Sequence, residues 1–415
     1  MLAAPRLSGR RGVCFTGAMT TEAPPSGPSL LGEVRDASDV LAVMLDGHPR
    51  TRAELTAVTG LGRGSVGTKV DALLGSGLLT PVGAAVSTGG RPPVQFRFDP
   101  GARVVIAADL GASHGVVALT DLAGRPLDSR AAEISIATGP EAVLGWVHEQ
   151  ASELLERHGR AADLVGVGVG VPGPVEHASG RPVRPPIMPG WDGFDVPARL
   201  EHHLGVPVLV DNDVNLMALG EHSTAHPQLA EMLFVKVATG IGAGIITHGM
   251  LHRGAQGSAG DLGHVASPHG GGVRCRCGNT DCLEAVAAGP AIAARLRDNG
   301  IHAERTVDIL HLIEGGSMEA AAELRQAGRV IGEALATCVS LLNPSVIVLG
   351  GLLTRAGDHL IAGVREVVYT RSLPLATGSL QILPAQTGRD AAIAGAAVMV
   401  TERILGVRKG TLATP

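Results

Sequence analysis

The chain has 415 residues, 45% of them hydrophobic and 18% charged, with a formal net charge of −5, a length that at roughly 150 residues per domain suits about three compact units. This composition excludes general disorder and excludes electrostatic binding of nucleic acid by the molecule as a whole, so any DNA contact has to be local. Five cysteines, three of them between Cys275 and Cys282, are too few and too clustered for a secreted disulfide framework and point to a reducing, cytoplasmic setting.

Residues 1–29 are rich in Pro, Gly, Ser and Thr, lack the apolar core of a signal peptide, and are expected to form a disordered tail, with Met19 as good a start as Met1. From Asp36 the pattern changes. Val40, Leu41, Met44 and Leu45 line one helical face that Gly47-His48-Pro49 ends. Thr51-Arg52-Ala53-Glu54 reads as a capping box opening a second short helix, and Gly60 supplies the turn after it. A third helix follows, with Val66, Val70, Leu73 and Leu74 inward and Gly75 and Gly77 at its end. Strands at Leu78–Val82 and Val94–Phe98, joined by a Gly/Pro-rich segment, complete a helix, helix-turn-helix, hairpin order that predicts a winged helix over residues 30–98.

Residues 50–97 carry six Arg or Lys against two acids, a local charge of +4 on an acidic chain, as a tethered DNA reader requires. Because Val66, Val70 and Leu73 commit one side of the third helix to the core, Arg63, Ser65, Thr68 and Lys69 are expected to face the major groove, with Arg91 reaching DNA from the wing. The bland alternative is a winged helix that binds only protein.

Beyond Gly101 strands and helices alternate. Arg103–Ala108 and Gly115–Thr120 open a meander, Glu141–His158 is an amphipathic helix, and Leu164–Val171 and Val206–Val210 are buried strands. A second meander opens at Met232–Val237, and its turn Thr239-Gly240-Ile241-Gly242-Ala243-Gly244 echoes Asp109-Leu110-Gly111-Ala112-Ser113, so residues 101–407 are expected to form two similar α/β lobes, with 408–415 as a tail. The uncharged run Ala334–Leu353 is long enough to span a bilayer, but Asn343-Pro344 breaks it into a buried helix and a buried strand, and no membrane contact is expected.

Three groups carry chemistry. The glycines after the two meander strands let amides approach a phosphate, with Asp109 near a metal-bound water, although a tight hairpin turn explains either loop alone. Asp211-Asn212-Asp213-Val214-Asn215 follows a buried strand at the end where α/β sites lie, so a carboxylate there suits a general base; helix capping is the competing account. Cys275, Cys277 and Cys282, with His264 or His269 just upstream, have the donors of a tetrahedral structural Zn²⁺ site, and the spacing leaves the imidazole open. Cys14 reads as a tail thiol and Cys338 as a core residue.

Together, Gly168-Val169-Gly170-Val171-Pro172-Gly173-Pro174-Val175, the Asn212-Asp213 box, Ala259-Gly260-Asp261-Leu262-Gly263-His264, the cysteines running into Leu283-Glu284, and Asn343-Pro344 before Gly350-Gly351 resemble the ROK family of sugar kinases and sugar-responsive repressors. The resemblance runs from about Ile106 to Ala396 and implies the two-lobed actin-like fold shared by sugar kinases, Hsp70 and RNase H. It implies His264 as the zinc ligand, Asp213 as general base, and Asn212, Asp213, Asp261, His264 and Glu284 as sugar contacts. Nucleotide contacts would be Asp109, Gly111 and Ser113, then Thr239, Gly240 and Gly242, then Gly350 and Gly351. Two departures stand out: Ala112, Ser113 and His114 replace the family's Gly-Thr-Lys, and Asp261 replaces a Glu. The segment from Asp36 to Pro93, ending in Gly89-Gly90-Arg91-Pro92, resembles the DNA-binding domain of ROK repressors. The expectation is a homodimeric or homotetrameric regulator, usually a repressor, of carbohydrate metabolism that releases operator DNA on binding a sugar or sugar phosphate. The alternative is a hexose kinase using ATP and Mg²⁺, with Asp213 as base.

Overall fold

A computed structural model describes residues 34–84 and 93–407. The first unit contains α1 (Ser38–Met44), β1 (Arg50–Thr51), α2 (Arg52–Thr59), α3 (Arg63–Gly75), β2 (Leu79–Ala84) and β3 (Val94–Phe98). The capping box forms as its residues require: the Thr51 side chain accepts from Glu54 N, and the Glu54 carboxylate accepts from Thr51 N at 2.6 Å. The sheet has three strands, in the order β1-β3-β2, where the sequence suggested two, because Arg50 and Thr51 pair antiparallel with Phe96 and Gln95. Pairing of β2 with β3 slips between Pro81 and Gly83, which carries the strand two residues past its expected end. Arg91 lies outside the described residues.

The remaining chain folds as two lobes with one topology used twice. In the first, β4 (Val104–Leu110), β5 (Gly115–Asp121) and β6 (Pro126–Ala132) form an antiparallel meander; α4 (Pro140–His158) covers it, and β7 (Leu164–Val171) lies parallel beside β4. The small hairpin β8 (Val175–Glu176) and β9 (Arg181–Pro182) and helix α5 (Val196–Leu204) lead to β10 (Val208–Asn212), parallel to β7. Helix α6 (Asp213–Ala225) then passes to the second lobe, whose meander is β11 (Met232–Val237), β12 (Ile241–Thr247) and β13 (Met250–His252). Helices α7 (Leu283–Ala287), α8 (Gly289–Asp298), α9 (Thr306–Glu314) and α10 (Met318–Leu342) follow, then β14 (Val346–Gly350), α11 (His359–Arg371), α12 (Pro374–Thr377), β15 (Gln381–Pro384) and α13 (Ala391–Leu405). The sheet orders β10-β7-β4-β5-β6 and β15-β14-β11-β12-β13 correspond strand for strand. This is the repeat that the two turn sequences announced.

The apolar run 334–353 divides as its Asn-Pro dictates. Asn343, at φ 46°, caps α10 in the left-handed region, and β14 follows fully buried. Among the described residues no helix is long and apolar enough to cross a membrane.

Two features tie the parts together. Helices α6 and α13 cross backbone to backbone: a Cβ on Gly220 would stand 1.8 Å from Ala391 O, and one on Gly395 would stand 1.8 Å from Leu216 O. Farther along α13, Ala397, Val400, Ile404 and Leu405 share one apolar core with Val105 and Leu122 of the first lobe and with Leu41, Leu55, Val66, Val70 and Phe98 of the N-terminal unit.

Candidate functional site

The site begins where β10 becomes α6. Asn212 is the N-cap: its Oδ1 accepts from Val214 N at 2.9 Å and Asn215 N at 3.4 Å, while its Nδ2 donates to Gly173 O at 3.1 Å. The capping account is therefore correct for Asn212, and it leaves the second amide hydrogen for a ligand. Asp213, in the first turn, is only 3% exposed, and its Oδ2 receives Lys236 Nζ at 2.5 Å. Burial pushes the Asp213 carboxyl above its ordinary pKa, with Asp109 adding to the rise and Lys236 opposing it. Burial works to lower Lys236, yet Asp213 and Asp109 together hold its ammonium above the ordinary value. Sequence reasoning passed over Lys236. The available signal was a lysine in the otherwise apolar strand Met232–Val237, just before a glycine-rich turn.

Two of the proposed nucleotide loops are tight hairpin tips. Gly111 N donates to His114 O at 2.8 Å between β4 and β5, and Ala238 N donates to Gly240 O at 2.9 Å between β11 and β12. The His114 ring occupies the space of a Gly111 side chain, 2.0 Å from where its Cβ would be, with Nε2 3.8 Å from Asp109 Oδ2; Ser113 beside it is exposed. Gly240 makes room for Glu284, whose Oε2 accepts from Ile241 N at 3.1 Å, and Gly242 packs against Val214. Thr239 faces Thr306, with 3.5 Å between hydroxyls. Gly350 lies against the Phe234 ring, and Gly351, at φ 95°, against Val237 O. Packing alone thus accounts for these later glycines.

The segment carrying Asp261 and His264 is held by backbone contact: Gly260 and Gly263 sit where a Cβ would meet Ala243 O at 2.0 Å and Ile241 O at 2.1 Å. Asp261 is half exposed, its Oδ1 4.0 Å from His264 Nε2. The other ring nitrogen, Nδ1, lies 3.6 Å from Cys275 Sγ, and Cys277 Sγ lies 3.6 Å from Cys282 Sγ. One ligand atom from each of His264, Cys275, Cys277 and Cys282 falls within 4.8 Å of the others. His269 hydrogen-bonds Glu333 of α10 at 3.0 Å, and the imidazole that stands with the three thiols is that of His264. Burial and the neighbouring thiols push Cys282 up to about 12. Three thiols and one imidazole so close together fit a divalent ion that would replace the thiol protons. Cys282 is also the N-cap of α7, so the cluster fixes Glu284 two residues on.

Between the lobes, buried Asp211 accepts from Arg253 Nε at 2.6 Å and from Asn215 Nδ2 at 2.8 Å, with His177 Nδ1 3.5 Å away. Burial, then Arg253, lower the His177 pKa against the pull of Asp211.

On α3, Arg63, Ser65 and Thr68 are exposed on the side opposite Val66, Val70 and Leu73. Lys69 departs from the expected position: its Nζ pairs with Asp39 Oδ2 at 3.0 Å and also bonds Asp36 O, so it ties α3 to α1. Sequence periodicity placed it on the groove-facing side with Arg63, Ser65 and Thr68, without seeing the Asp39 carboxylate and the Asp36 carbonyl 30 and 33 residues before it.

The profile described as "ROK family" matches residues 105–403. A xylose repressor of Bacillus spizizenii is 27% identical over 380 residues, covering 89% of this chain and 96% of its own. A glucokinase of Thermotoga maritima is 30% identical over 320 residues, covering 73% of this chain and 98% of its own. Among solved structures, a ROK family transcriptional regulator described as a homolog of the E. coli MLC protein superposes with a TM-score of 0.78 at 24% identity, over 92% of this chain and 98% of that one; at that identity the likeness speaks to the fold.

Proposed function

The chain belongs to the ROK family, and from that premise we propose that it is a sugar-responsive transcriptional repressor of carbohydrate metabolism. The observation that carries this reading is the N-terminal unit. The xylose repressor aligns over 89% of the chain, whereas the glucokinase is nearly exhausted by 73% of it, a share that the two lobes alone account for.

In this reading residues 30–98 are the DNA reader and 101–407 the sensor. Arg63, Ser65 and Thr68 face operator DNA, Arg91 acts from the wing, and Lys69 supports α3 from behind. Two readers in a homodimer or homotetramer would span the operator, and a protein of this function works in the cytoplasm. Asn212, Asp213, Asp261, His264 and Glu284 hold the sugar. The four-residue cluster would bind Zn²⁺, whose contribution is to keep the Asp261–His264 and Glu284 segments in register. With Nδ1 turned toward the sulfurs, His264 keeps Nε2 on the side of Asp261, where it suits a sugar hydroxyl.

The kinase alternative has Asp109 and Asp213 in its favour. Against it stand His114 folded into the first loop and Lys236 on Asp213. Fluorescence anisotropy on fragments from upstream of the protein's own gene, with hexoses, pentoses and amino sugars, with and without Mg·ATP, tests the assignment. Release of a bound fragment by a sugar without nucleotide is expected. Failure to bind any fragment, or robust ATP-dependent phosphorylation of a sugar lost in Asp213→Asn, overturns it.

A further inference from the structure

Lys236 is the one lysine of β11, and its position is specific. Its strand pairs it with Gly242 on one side and Gly350 on the other, which sets it at the foot of two glycine turns. Its side chain reaches from the second lobe to the Asp213 carboxylate, which is fixed by the first turn of α6, and remains 21% exposed. Asp109, at the end of β4, adds a second carboxylate to its surroundings.

A sugar hydroxyl is both donor and acceptor, and this pair presents an acceptor and a donor side by side. We infer that Lys236 and Asp213 grip one hydroxyl of a neutral sugar together, Asp213 accepting its hydrogen and Lys236 donating to its oxygen, so that the site receives the free sugar in preference to its phosphate ester. The inference rests on the sugar-sensing reading above and narrows the ligand class.

The chemistry has two consequences. Phosphoryl transfer needs a lone pair of the hydroxyl oxygen to attack phosphorus while the carboxylate takes the proton. An oxygen that accepts a hydrogen bond from an ammonium has one of its two lone pairs engaged and electron density drawn toward the cation, so the contact that tightens binding weakens the nucleophile. An ester at the same position offers no hydrogen to Asp213 and brings negative charge beside Asp213 and Asp109, against a single ammonium.

Calorimetric titration of the full chain without nucleotide tests this with D-glucose, D-xylose, N-acetyl-D-glucosamine, glucose 6-phosphate and N-acetylglucosamine 6-phosphate. At least one free sugar is expected to bind, and a 6-phosphate at least about 10-fold more weakly than its parent. Losing a charged hydrogen bond in Lys236→Met should weaken the free sugar roughly 10- to 100-fold. Because that variant leaves Asp213 buried without its partner, Asp213→Asn is also compared with the Asp213→Asn, Lys236→Met double variant, where a further fall is expected. A phosphate ester that binds as tightly as its parent sugar overturns the inference. So does a double variant equal to Asp213→Asn. If none of the five probes binds the wild-type chain, the sugar-sensing reading itself falls.

Discussion

The crossing of α6 and α13 permits a quantitative test by one methyl group. On Gly395 that methyl would lie 1.8 Å from Leu216 O, 2.7 Å from Leu216 C and 2.9 Å from Gly220 N, while ordinary contact starts near 3.4 Å, so the helices must separate by about 1.6 Å. All three obstructing atoms are backbone, and no rotamer change relieves them. Overpacking of this kind costs about 3 kcal/mol, at the upper end of its usual range, while alanine's helix propensity returns about 1 kcal/mol. Gly395→Ala should therefore destabilise the protein by about 2 kcal/mol. Gly145 in α4 is the internal control, because a Cβ there meets nothing within 4 Å. Gly145→Ala should stabilise by about 0.5–1 kcal/mol. Urea unfolding followed by far-ultraviolet circular dichroism, with the slope checked for constancy, gives both values. A Gly395→Ala protein as stable as wild type, or as Gly145→Ala, would refute the claim that the crossing is in backbone contact.

Three further outcomes are expected. Arg63→Ala should weaken DNA binding and reduce its salt slope by about 1, whereas Lys69→Ala should leave the slope unchanged because Asp39 already holds that charge; equal slope changes would place Lys69 on the DNA. Cys277→Ser should lose one equivalent of zinc by elemental analysis and melt about 5 °C or more below wild type, and a variant with full zinc content would contradict the ligand set. For His177 the folded pKa is depressed below the ordinary 6.5, so the unfolded chain takes up the proton first as pH falls, and stability that is present above about 6.5 is lost on acidification. His177→Gln should flatten that loss between pH 7.5 and 5.5 in urea midpoints; an unchanged pH profile would count against it.

What was legible in the sequence was local. The Thr51–Glu54 box, strands Leu164–Val171 and Met232–Val237, the break at Asn343-Pro344 and the cysteine cluster all formed as their neighbours in the chain required. What was not legible depends on partners far away. The strand at Arg50–Thr51 exists only because Gln95 and Phe96 come back beside it, and Lys69 is removed from the exposed face by Asp39. His264 and His269 are equivalent by spacing and are separated by Glu333, 64 residues beyond His269. Lys236 gains meaning only when β11 meets the start of α6, and Gly220 and Gly395 look like ordinary helix-weakening residues until the crossing is seen.

The shared core at the end of α13 makes that helix a strut common to three parts of the chain. At one end Gly395 is held against α6, the helix that Asn212 caps and Asp213 begins; at the other Leu405 is embedded among residues of the N-terminal unit and of the first lobe. Ten residues of helix put Leu405 about 15 Å from the crossing, and between the two Ala396 and Val400 lie against Gly168 and Gly166 of β7, where a Cβ would stand 2.6 Å and 2.7 Å from them. The N-terminal unit is thereby seated on the same helix that crosses α6, so apolar packing, and not the peptide chain alone, joins it to the element that starts at Asp213.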